Sequence, residues 1–321
     1  MSQAGTPLSA EFSFIARHFA PLAGPGADSL RDDVAILIPP PGRDLILKAD
    51  ALVEGIHFLP TDPPDLVARK LLRVNLSDLA GKGAIPIGYL VTISVSRATP
   101  DSWFAAFAAG LARDQTEFAV TLLGGDTTST TGPIALSLTV IGHAAPGQTP
   151  RRGGAAAGDE IWVSGTIGDG ALGLAVAQGR LADPTGHLLD RYQLPRPRLG
   201  LALGGIASAS MDISDGLVQD LAHICRHSNL AAEIEATLVP LSDAARAAGP
   251  GWRDTILTGG DDYEILLAVP SARAADLKAV AMRAAIMVTR IGRLEAGPPG
   301  VTVLDANGNP IPLNTGGWSH F

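Results

Sequence analysis

Brief apolar runs that empty into Gly and Asp alternate along this chain with longer stretches whose apolar residues recur at helical spacing. Residues 11–19 read as a short amphipathic helix, followed by a Pro/Gly-rich loop over 21–26. Residues 34–38, closed by Pro39, Pro40 and Pro41, and residues 45–47 are short and sharply bounded, which predicts strands. Residues 64–79 predict a helix, with Leu66, Lys70, Val74 and Ser77 marking its turns. A β-rich run spans 87–95. A helix over 103–116 is opened by Thr99, Pro100 and Asp101. Residues 118–123 predict a buried strand running into Gly124-Gly125-Asp126, and 134–141 predict the next strand. The interleaving of strands and helices points to an α/β domain with helices on one sheet face.

A boundary is expected between residues 144 and 158, where Pro146, Pro150, several Gly and Arg151-Arg152 cluster. Beyond it, 160–164 predicts a strand. Residues 170–177, 199–204, 218–227 and 272–284 predict helices, 265–269 a strand, and 301–304 a strand before a turn at 305–309. Two domains, residues 1–147 and 148–321, follow. The length of 321 residues supports cores in both.

Composition narrows the function classes. The net charge of −8 argues against a nucleic-acid binder, which needs a positive footprint. With one cysteine, Cys225, the chain has no intrachain disulfide and no cysteine metal cage. The N-terminus lacks a charged flank followed by an apolar run, and no 18-residue apolar stretch occurs. The expected location is cytoplasmic, with no membrane partner. The acids are 24 Asp and only 8 Glu, and the bases 20 Arg against 4 Lys. Short Asp carboxylates suit turns, caps and compact metal cages, and Arg suits phosphate, although genomic composition produces the same bias.

The sharpest chemical signal is acid at loop starts: Asp32-Asp33, Asp50, Asp78, Gly124-Gly125-Asp126, Asp212, Asp215 and Gly259-Gly260-Asp261-Asp262. Any one of these can simply cap a helix or close an Asx-turn. Together they favour Mg²⁺ held by hard oxygen ligands, with phosphate oxygens filling the remaining positions. Asp212 and Asp215 are three apart and would share a face if a helix begins there; the helix that follows would offer amides to an anion. Arg151-Arg152 and the turn at 164–170 suit phosphate or, for the arginines, a solvated linker pair. No P-loop, Gly-x-Gly-x-x-Gly dinucleotide site, protein-kinase order or nucleophile elbow is present. His57 has no cysteine cluster or second histidine close by for a zinc site.

In order and spacing, Asp32-Asp33, 50–58, Asn75-Leu76-Ser77-Asp78-Leu79, 124–128, Gly158-Asp159, 164–169, 211–217, 259–264 and the ending Gly317-Trp318, His320-Phe321 resemble the thiamine-monophosphate kinase family. That family belongs to the superfamily named after aminoimidazole ribonucleotide synthetase. The resemblance implies a two-domain α/β (α+β) fold: an N-terminal ferredoxin-like, mixed-sheet domain that dimerises and binds Mg-ATP, and a C-terminal α/β domain completing the active site. It implies ATP-dependent phosphorylation of thiamine monophosphate to thiamine diphosphate by direct in-line transfer in a homodimer. Carried over residue by residue, Asp32, Asp33, Asp50, Asp78, Asp126, Asp212 and Asp215 supply or support Mg²⁺ coordination, with Asp126, Asp212 and Asp215 at the catalytic centre. Asp33, Gly125, Thr127, Arg151, Asp159 and Ser214 place the ATP phosphates. His57, Asp262 and Trp318 lie on the thiamine side. Three residues depart from the family pattern: Arg31 for Gly, Lys82 for Met and Asp261 for Glu. The alternatives are a selenophosphate, purine-precursor or hydrogenase-maturation enzyme of the superfamily, or a noncatalytic Mg-ATP-binding dimer. No cysteine stands near the N-terminus, which counts against the selenophosphate type.

Overall fold

The computed structural model describes residues 10–313 and Gly317. They form two compact units. Residues up to Pro41, Leu47–Asn75 and Pro86–Gly142 make the first; Gly42–Ile46, Leu76–Ile85 and the chain from His143 make the second. The early segments 42–46 and 76–85 thus belong with the later half of the chain.

The first half of the chain carries α1 (Ala10–His18), β1 (Asp44–Val53), α2 (Pro64–Gly81), β2 (Ile85–Val95), α3 (Asp101–Phe118), β3 (Thr121–Ser129) and β4 (Ala135–Ala144). Its strands form one sheet in the order β1-β4-β2-β3. β2 and β3 run parallel, which requires a crossover, and α3 supplies it. Phe104, Phe107 and Leu111 of α3 and Leu71, Leu72 and Val74 of α2 are buried. The two helices are also tied by charge. Buried Asp114 accepts from Arg69 Nε and Arg73 Nε, each at 2.7 Å, and Arg73 Nη2 reaches Glu117 at 2.7 Å.

Two expectations change here. Residues 34–38 form no strand. Val34, Ile36 and Ile38 are 64%, 72% and 83% exposed, and Ile36 N–H bonds only to Gly26 O. An apolar run becomes a strand only beside a neighbour that offers its ladder, and Pro39–41 remove the donors that would extend one. Residues 118–123 are not one strand either. α3 continues through Phe118, Ala119 turns left-handed to end it, and β3 then continues through Gly124-Gly125-Asp126 after a register shift at Leu123. That motif lies inside the ladder, opposite Leu90, Val91 and Thr92.

The second unit carries β5 (Glu160–Ser164), α4 (Asp169–Ala177), α5 (His187–Gln193), β6 (Ala209–Asp212), α6 (Leu217–Ser228) and β7 (Ala231–Glu235). α7 (Asp243–Ala248), α8 (Arg253–Thr258), β8 (Ile265–Val269), α9 (Ala274–Arg283), β9 (Val288–Glu295) and β10 (Gly300–Leu304) complete it. Its sheet has the order β10-β7-β9-β5-β8-β6, antiparallel except for the β10–β7 pair. Strand β8 shows how the layers form. Leu266 and Ala268 join Leu217, Leu221 and Ile224 of α6 in one core, while Ile265, Leu267 and Val269 join Leu277 and Val280 of α9 in another. Alternate residues point to opposite faces, so a continuous apolar run reports a sheet buried on both sides. The helix expected over 199–204 is absent: the stretch is irregular, with Pro195 and Pro197 ahead of it and Gly200 and Gly205 at positive φ. β7, β9, α5 and α7 have no counterpart in the sequence expectations, because their apolar spacing is short and interrupted by charge.

Candidate active site

The first unit holds a cleft of about 770 Å³ lined by Asp32, Asp33, Gly125, Asp126 and Thr127, five of the residues singled out from sequence. The sheet positions three of them. Asp126 pairs with Thr92 and Thr127 with Ile93, so β3 carries both residues into the cleft lining. Gly125 pairs with Val91 of β2 in the ladder. A Cβ there would sit 1.8 Å from Val91 O, so only glycine lets the strands meet. Asp32 and Asp33 come from the irregular segment before β1, and Asp33 N–H donates to Asp32 Oδ1 at 2.7 Å. Asp32, Asp33 and Asp126 are exposed, and among the described residues none of the three has a cationic partner. On β4, burial alternates along the strand, and Ser137 and Thr139 share the face that lines the cleft. The period-2 pattern of that run is the sequence signal for these hydroxyls.

Other first-unit candidates are placed differently. Asp50 sits on β1 with its carboxylate 3.0 Å from Lys48 Nζ, and its N–H donates to Asn75 Oδ1 at 3.0 Å. His57 Nδ1 accepts the Val53 N–H at 3.0 Å, and Lys70 Nζ donates to His57 O. A ring nitrogen that accepts carries no proton, so a neutral His57 has its N–H on Nε2.

In the second unit, Asp78 lies in the last turns of α2 and Asp212 ends β6. No helix begins at Asp212: Asp215 lies in the loop that leads to α6 at Leu217. The loop amides just ahead of α6 already have an acceptor. Ser214 N–H and Asp215 N–H both donate to Asp220 Oδ2 at 3.0 Å, from the first turn of α6. Burial, with Asp215 and Asp212 close by, pushes the Asp220 carboxyl up to about 8, against the pull of those amides. Asp220 was not anticipated, and its position four residues past Gly216 in a helix start was the available signal. Lys82, just past α2, has an ammonium lowered to about 8 by burial, with Asp212 opposing that shift and Arg152 adding to it.

Asp159 and Asp262 prove to be buried acids whose oxygens are engaged by the chain. Asp159 Oδ2 accepts Ala156 N–H at 2.9 Å and Ser208 Oγ–H at 2.5 Å. Asp262 accepts Gly168 N–H at 2.7 Å and Gly170 N–H at 3.0 Å, holding the start of α4. Burial raises the Asp262 carboxyl to about 8. Arg151 is exposed, and its backbone accepts Ser210 N–H at 2.9 Å. Trp318 lies outside the described residues.

Among the described residues, no group of three or more His, Cys, Asp or Glu side chains is set to hold a metal by itself. The cleft nevertheless suits Mg²⁺ in donor type. Its carboxylates are hard and exposed, and Mg²⁺ commonly takes one or two protein carboxylates and completes its shell with phosphate and water.

Two family models cover most of the chain: AIR synthase related protein, N-terminal domain, over residues 31–144, and AIR synthase related protein, C-terminal domain, over 156–305. The thiamine-monophosphate kinase of Caulobacter vibrioides is 41% identical over 324 residues, spanning 97% of this chain and 90% of that one. The crystal structure of thiamine-monophosphate kinase from Stenotrophomonas maltophilia K279a is 38% identical with a TM-score of 0.78, covering 88% of this chain and 91% of that one. AaThiL complexed with AMPPCP and TMP is 31% identical with a TM-score of 0.76, covering 90% and 91%.

Proposed function

This chain belongs to the thiamine-monophosphate kinase family of AIR synthase-related proteins, and from that premise we propose that it transfers the γ-phosphoryl group of Mg-ATP to thiamine monophosphate, forming thiamine diphosphate. The family makes it an ATP-using phosphoryl-transfer enzyme with the two-domain α/β fold. The observation that carries the substrate reading is the first unit's cleft, where exposed Asp32, Asp33 and Asp126 stand beside Gly125 and Thr127.

In this reading Asp32, Asp33 and Asp126 hold Mg²⁺, and Asp50, Asp78, Asp212 and Asp215 supply further acid. When bound, Mg²⁺ neutralises charge on the polyphosphate oxygens. Gly125 brings backbone close to the phosphates, and Thr127, Ser214 and Arg151 place them. Asp159 and Asp262 act by holding backbone, Asp159 through Oδ2 and Asp262 through both carboxylate oxygens. His57 offers a donor to the acceptor substrate, and Trp318 an aromatic wall for a flat cation. The acceptor's phosphate oxygen is anionic at neutral pH, so attack on the γ-phosphorus needs no general base. That oxygen forms the new P–O bond as the bond to the β-phosphate oxygen breaks, and ADP leaves with the electron pair. The chain's task is alignment and charge stabilisation. The protein works as a homodimer, a reading supported by the exposed Val34, Ile36 and Ile38.

The test is incubation of purified protein with Mg-ATP and thiamine monophosphate, followed by chromatography of the thiamine phosphates. Thiamine diphosphate should form in step with ADP; its absence, or equal turnover with selenide or a purine precursor, overturns the reading.

A further inference from the structure

Helix α2 ends against β6. A Cβ on Gly81 would lie 3.1 Å from Asp212 N, so the two backbones touch, and the Ser210 hydroxyl donates to Gly81 O. One residue further on, Lys82 turns into this seam and donates from Nζ to Ser210 O at 2.5 Å. The side chain is half-buried. Asp212 and Asp78 attract its charge, and Arg152 and Arg151 repel it. An ammonium has three donors. Ser210 O takes one, and among the described residues the others have no recorded hydrogen-bond acceptor.

We propose that Lys82 is a positioning residue that couples the two ligands: a resident countercharge to Asp78 and Asp212 that opposes a divalent cation alone and meets polyphosphate oxygens when nucleotide is present. This rests on the Mg-ATP reading above. A cation entering beside Asp78 and Asp212 is repelled by Lys82, while a polyphosphate entering beside Lys82 gains a charge-assisted donor. Metal and nucleotide then favour each other, and the coupling is reciprocal.

Calorimetry on the full chain at neutral pH tests this, titrating Mg²⁺ alone, AMPPCP in chelator, and AMPPCP with saturating Mg²⁺. Relative to wild type, Lys82→Met should bind Mg²⁺ alone about tenfold tighter and metal-free AMPPCP about tenfold more weakly, the scale of one unit charge in a partly screened site. Lys82→Arg should follow wild type. A merely structural lesion would weaken both ligands together. Unchanged affinities in Lys82→Met, or both weakened, overturn the role of Lys82. Asp78→Asn separates the layers: if it leaves Mg²⁺ binding intact, Lys82 has no metal-holding acid there to offset and its role falls while the metal reading at Asp32, Asp33 and Asp126 stands; if no protein binds Mg²⁺ in any condition, the metal reading falls as well.

Discussion

Asp126 and Asp262 follow Gly-Gly and Gly-Gly-Asp in sequence, and folding gives them opposite surroundings. Asp126 is exposed in the cleft without a cationic partner among the described residues, so its charge is available to a ligand. Asp126→Asn keeps the shape and removes the charge. Turnover should fall by roughly a hundredfold or more, with the melting temperature nearly unchanged. Steady-state kinetics beside a thermal scan checks both halves. Asp262 is buried, and its carboxyl is raised to about 8 from roughly 4 in the unfolded chain. The folded protein therefore holds that proton more tightly. The stability it contributes is complete below about pH 4 and is lost as pH rises toward 8. Urea unfolding of wild type and Asp262→Asn across this range should show the wild-type advantage shrinking with rising pH; a flat difference would contradict the assignment. The sequence marks both aspartates as chemistry because it records residue type and neighbours. Burial, which separates them, depends on partners as distant as Gly168 and Gly170.

Helices were legible wherever apolar residues kept their period, as in α2, α3 and α6, with errors of a few residues at the ends. Strand pairing was not. The Gly124-Gly125-Asp126 motif reads as a loop because glycines punctuate sequences, yet β2 accepts it into a ladder. This makes Gly125→Ala a sharp test. The new methyl meets backbone Val91 O, and the variant should lose about 2 kcal/mol of stability, along with nucleotide affinity. The α2–α3 ion cluster offers a second. Asp114→Ala leaves Arg69 and buried Arg73 short of their shared carboxylate and should cost about 3 kcal/mol in denaturant unfolding.

At the scale of the whole molecule, two α/β units each build a sheet, and the division of the chain between them does not follow a single cut. Among the described residues, no helix is long and apolar enough to cross a membrane. If the proposed function holds, Mg-AMPPCP and thiamine monophosphate at about a hundred times their Kd should each stabilise the protein by about 2.7 kcal/mol, read as a rise in melting temperature. Sedimentation equilibrium should return twice the 33.0 kDa chain mass; a monomer at working concentration would remove the dimer from the proposal.

By itself the sequence determined the α/β class, the helices with sustained period, and the family, because these rest on local spacing and on the order of short motifs. Tertiary structure alone decided that residues 34–38 stay outside the sheet, that Gly125 lies within it, and that Asp220 fills the amides of Ser214 and Asp215. It also decided that Asp159 and Asp262 are buried and accept backbone amides, and that Lys82 donates across to Ser210 O of β6. Each of these depends on which donor meets which acceptor across long separations in the chain, and on how much water remains around a charge. Neither quantity exists until the chain has folded.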